Sequence, residues 1–122
     1  MKSSIQNLPV AFDLPQGMLR QISWGNMTIE VGQIRQDFVP QSTLTDIPSN
    51  HCQCPHWGYV VKGRMRLKYP DHEEIYQEGD VYYAMPNHIT YFEAGCEYVE
   101  FSPTLEFNQS KAAATEQAKA QA

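Results

Sequence analysis

The sequence predicts an all-β protein, a small barrel or sandwich of antiparallel strands, and three observations carry that reading. Short runs rich in Val, Ile, Tyr, Phe and Trp recur between Gly, Pro and Asn turn signals from Val10 to Phe101, the grammar of strands joined by tight connections. The run Arg64 to Tyr69 alternates cleanly, with Met65, Leu67 and Tyr69 on one face and Arg64, Arg66 and Lys68 on the other, the period of a half-buried antiparallel strand. From Val10 to Ile34 no helical periodicity competes with this pattern.

Taken in order, Met18 to Trp24 and Met27 to Val31 flank Gly25-Asn26, a hairpin whose tight turn draws on residues tolerant of positive φ. This hairpin is expected to form an outer layer over the barrel. Residues 37–50 carry Pro40, Pro48 and many Ser, Thr and Asp residues and read as an irregular crossing segment. Trp57 to Lys62 and Arg64 to Tyr69 are strands separated by Gly63, and Glu73 to Gln77 returns after the turn at Pro70-Asp71-His72. Glu74, Tyr76 and Glu78 are expected opposite the basic stripe, making it a solvated, paired face. Val81 to Met85, Ile89 to Glu93 and Cys96 to Phe101 complete the strands. The Ala-rich end, 108–122, has high helix propensity and almost no apolar stripe, so it is expected to be a solvated helical tail outside a single domain spanning 1–107.

A chain of 122 residues is enough for one domain with a proper core and too short for two. With 9 basic and 14 acidic residues the formal net charge is −5, which argues against nucleic acid or an anionic membrane as partner. The first residues lack the apolar run of a signal peptide, and no stretch has the length of a spanning helix, so the expectation is a cytoplasmic protein. Three cysteines, two of them separated by one residue, make a poor disulfide framework and a better thiol site.

The chemistry concentrates in His51-Cys52-Gln53-Cys54-Pro55-His56-Trp57-Gly58. Cys52, Cys54 and His56 occupy alternate positions and share one side of an extended segment, and His88 is the expected fourth donor from the segment that follows Gly79. Thiolates with imidazoles suit zinc first and iron(II) second. The plain alternative is that Cys52 and Cys54 fill the barrel and that His56 and His88 are satisfied interior residues. His51 falls on the opposite face, His72 in a turn, and Cys96 reads as packing. Around the donors, Tyr83, Met85, Thr90, Phe92, Tyr98 and Glu100 are expected to line a partly aromatic cavity, although for Glu100 the favoured reading points outward into solvent.

The segment from Asn50 to Phe101 resembles the cupin motifs. Counting back from Gly63 places His56 at the family's glutamate and Cys52 and Asn50 at its two histidines; counting on from Gly79 places Met85, Asn87 and Thr90 at the anchors of the second motif. The spacing fits, whereas most ligand identities do not, and His88 lies two residues before Thr90 on the same face. The chain also resembles a group of small cupins carrying Cys-Gln-Cys-Pro-His-Trp-Gly. This resemblance implies a double-stranded β-helix, or jelly-roll, barrel with its core at about 50–102, extra N-terminal strands and a homodimer. The run Cys52, Cys54 and His56 with His88 leads to the expectation of a barrel holding a divalent metal and a small polar organic ligand, used in a metal-dependent reaction; the alternative, suggested by Asn50, His56 and Thr90 at the family's ligand positions, is a noncatalytic ligand-binding or sensor barrel, metal-free or with a structural ion.

Overall fold

The computed structural model describes residues 1–39 and 52–109. A 3₁₀ turn at Ile5–Asn7 leads into nine strands: β1 (Val10–Leu14), β2 (Gly17–Trp24), β3 (Met27–Ile34), β4 (His56–Lys62), β5 (Arg64–Lys68), β6 (Glu73–Gln77), β7 (Val81–Ala84), β8 (Ile89–Phe92) and β9 (Glu97–Pro103). All named pairings are antiparallel. They form a six-stranded sheet, β1-β2-β3-β9-β4-β7, facing a three-stranded one, β6-β5-β8. Residues 104–109 are helical; the remainder of the expected tail, the crossing segment from 40 onward and His51 lie outside the described residues.

The β2–β3 hairpin turns where the sequence places it, with Trp24 opposite Met27 and Gly25 at φ 60°. It does not cover the barrel as a separate layer. β3 pairs with β9 along seven residues, from Met27↔Pro103 to Gln33↔Glu97, so the hairpin continues the larger sheet, and the inner face of β3 becomes part of the interior.

Between the sheets, Val60, Met65, Leu67, Tyr76, Tyr82, Phe92 and Tyr98 form the apolar core, stacked in places as aromatic pairs such as Tyr76–Tyr82 and Phe92–Tyr98. On the smaller sheet the register sets Leu67 opposite Glu74 and Met65 opposite Tyr76, which puts Glu74 and Tyr76 on the inner face. The basic stripe therefore does not meet them. Arg66 pairs with Glu73 at 3.6 Å, and Arg64 makes a two-pronged contact with Glu93 at 2.8 and 3.0 Å. The expectation failed by one residue of register, which on a strand moves every side chain to the other face.

Candidate metal centre

Two stretches distant in sequence build the site. Cys52 forms an isolated antiparallel bridge with His88: the Cys52 N–H donates to the His88 carbonyl at 2.6 Å, while the N–H groups of Asn87 and His88 both donate to the Cys52 carbonyl, at 2.7 and 3.1 Å. Asn87 makes this turn possible by adopting φ 73°, the only positive value at a non-glycine residue among those described, a conformation asparagine tolerates better than most. The third component, His56, opens β4 directly after Pro55.

Both imidazoles are anchored through Nδ1. His88, wholly buried, donates from Nδ1 to the Met85 carbonyl at 2.5 Å; a carbonyl only accepts, so the neutral ring keeps its lone pair on Nε2. His56 Nδ1 meets the Ser102 hydroxyl at 2.7 Å, with Glu100 Oε2 behind it at 3.8 Å, and its Nε2 faces the Cys52 sulfur at 3.7 Å. Burial drives the His56 pKa down to about 4, so the ring is neutral and ligand-competent at neutral pH. The rings of His56 and His88 approach edge to face with centroids 5.2 Å apart.

The donor atoms of Cys52, His56 and His88 all lie within 4.8 Å of one another. A tetrahedral zinc with Zn–S of about 2.3 Å and Zn–N of about 2.0 Å separates its sulfur and nitrogen ligands by about 3.5 Å, close to the 3.7 Å between the Cys52 sulfur and His56 Nε2. The donor set and its spacing fit a borderline-soft divalent ion.

No family model matches the chain, and no curated protein does. Solved structures do. A mutant of the oxalate decarboxylase of Bacillus subtilis matches with a TM-score of 0.61 at 15% identity, covering 84% of this chain, which spans only 29% of that enzyme's length. KdgF from Halomonas sp. gives 0.57 at 15% identity over 84% of this chain and 94% of its own. An RmlC-like cupin from Shewanella frigidimarina gives 0.57 at 13% identity over 83% and 88%. The fold is that of the cupins.

Within the cupin barrel, Cys54 stands apart from the three donors. Its side chain is wholly buried, its sulfur lies 3.3 Å from the Pro55 carbonyl, and it is not in the convergent set. The regular strand begins only at His56, so the alternation that would align Cys54 with its neighbours does not extend back across Pro55. Burial raises its thiol pKa to about 12, keeping it protonated.

Glu100 reverses its expectation. It points inward, 6% exposed, and Tyr82 donates its hydroxyl to Oε1 at 2.7 Å. Directly across β3–β9 stands Glu30, which accepts from Tyr98 at 2.6 Å and from Gln21 at 2.7 Å. Burial raises both carboxyl pKa values, Glu100 to about 7, and the Glu100 charge adds to the rise at Glu30. Each tyrosine reaches its glutamate by lying over a glycine: a Cβ on Gly58 would come within 2.4 Å of the Tyr82 ring, and one on Gly32 within 2.2 Å of Tyr98.

Those mid-strand glycines were the available signal, since an isolated glycine in a strand marks a close approach. Of the other expected lining residues, Thr90, Phe92 and Tyr98 are buried, whereas Tyr83 and Met85 are exposed; Tyr82 takes the inward place because its register partner is Gly58.

Proposed function

We propose that this protein is a metal-binding cupin in which Cys52, His56 and His88 hold a divalent ion, zinc first and iron(II) second. The observation that supports it is the convergence of one sulfur and two imidazoles, each imidazole anchored at Nδ1. The ion, when bound, supplies Lewis acidity inside the barrel. A small polar organic ligand is the natural occupant beside it, because Glu30, Glu100 and Ser102 make that part of the interior polar; one structural neighbour is named for oxalate.

Protein purified without an affinity tag and reconstituted with zinc should hold close to one equivalent. Cys52→Ser or His88→Ala should abolish retention, whereas Cys54→Ser should keep it. Less than about a tenth of an equivalent in the wild type after reconstitution would overturn the reading.

A noncatalytic use is favoured by one observation: Glu30, Glu100 and His56 are hydrogen-bonded to other interior side chains, the pattern of a network that specifies a core. If stripping the metal collapses the melting temperature, the ion is structural; if the fold survives, the site serves a ligand. We also propose a cytoplasmic homodimer. The outer face of the six-stranded sheet exposes Trp57 (45%), Tyr59 (43%), Val81 (80%), Tyr83 (47%) and Phe101 (44%) side by side, and a second copy presenting the same patch would cover it.

A further inference from the structure

The geometry points to Tyr69 as the positioning residue of the His88 arm, acting through Met85; this rests on the metal reading above. Tyr69 follows β5 and is 4% exposed. Its hydroxyl accepts the Met85 N–H at 2.9 Å, and the carbonyl of that same residue receives the His88 Nδ1 proton at 2.5 Å. The Tyr69 ring meets the His88 ring edge-on, centroids 6.1 Å apart and planes at 73°, and it also stacks on His72 at 4.6 Å.

This support matters because His88 lies outside any regular ladder. His56 is placed by β4, paired on both edges with β7 and β9. His88 sits in the Met85-Pro86-Asn87 connection ahead of β8, fixed to Cys52 by the bridge and to Met85 through its ring. Pro86 gives no N–H to hold that connection. The Tyr69 hydroxyl therefore locks the residue whose carbonyl sets both the tautomer and the plane of the His88 imidazole. Groups that orient a ligating histidine in this way typically govern metal affinity by 10–100-fold.

The test uses cobalt(II) as probe on the full-length protein, with Tyr69→Phe and, as control for loss of a buried hydroxyl, Tyr98→Phe, whose hydroxyl serves Glu30 instead. Tyr69→Phe should weaken cobalt affinity about tenfold or more and shift the ligand-field bands while the sulfur-to-cobalt charge-transfer band persists. Tyr98→Phe should leave affinity and spectrum near those of the wild type. Equal affinity and an unchanged spectrum in Tyr69→Phe would overturn the inference while leaving the metal reading intact. A wild type that binds no cobalt or zinc removes the metal reading itself. Should Tyr69→Phe fail to fold, proton NMR of the wild-type cobalt protein decides. A slowly exchanging, hyperfine-shifted His88 Nδ1 proton close to the Tyr69 ring supports the assignment, and ligation through Nδ1 overturns it.

Discussion

The two faces of the six-stranded sheet differ in character, and along one row the usual placing of polar and apolar side chains is inverted. Facing inward along β3, β9, β4 and β7 are Glu30, Glu100, Gly58 and Tyr82, one row of register partners. Facing outward along the neighbouring row are Ile29, Phe101, Trp57 and Tyr83, the last two stacked at 5.1 Å. Alternation tells which residues share a face and is silent on which face is inside. The usual tie-breaker, that apolar residues go in, fails where the interior is a site and the exterior is apolar.

The largest test of that contrast is Gly58→Val. A side chain there collides with the Tyr82 ring, so about 3 kcal/mol or more should be lost in chemical denaturation. A change under about 1 kcal/mol would mean that Tyr82 does not lie where it is placed.

Next comes pH. Glu100 has its pKa raised in the fold from about 4.5 to about 7, so its proton favours the folded state. That contribution is intact below about pH 4.5 and lost as pH rises through about 7. In metal-free protein, wild type should therefore lose stability relative to Glu100→Gln by up to a few kcal/mol across this window. A pH-independent difference would place the carboxyl in solvent.

The neighbouring tyrosines separate the faces more finely. Tyr82→Phe removes a buried hydrogen bond to Glu100 and should cost about 1–3 kcal/mol, whereas Tyr83→Phe should stay within about 0.5 kcal/mol. Equal costs would erase the distinction. Trp57→Ser should change monomer stability least, yet sedimentation should show it shifting a wild-type dimer toward monomer; a monomeric wild type would leave the outer face to another partner.

The corrections share one physical origin. Strand periodicity sets the β5–β6 hairpin and the two-residue spacing of faces, but Glu74, Tyr83 and Glu100 lie on the side opposite to the expected one, because parity depends on which partner strand they meet. Cys54 was lost from the donor set for a related reason: Pro55 interrupts the extended backbone on which equal spacing implies a common side.

By itself the chain determined its strand order of appearance, its turns and the choice of Cys52, Cys54, His56 and His88 as candidate donors, because spacing and residue chemistry are local. Only tertiary structure decided which face encloses the interior, that β3 pairs with β9 to set Glu30 opposite Glu100, and that the Tyr69 hydroxyl meets Met85 beside His88. Such contacts join strands far apart in sequence, and their register is set by the packing of whole sheets rather than by any one segment.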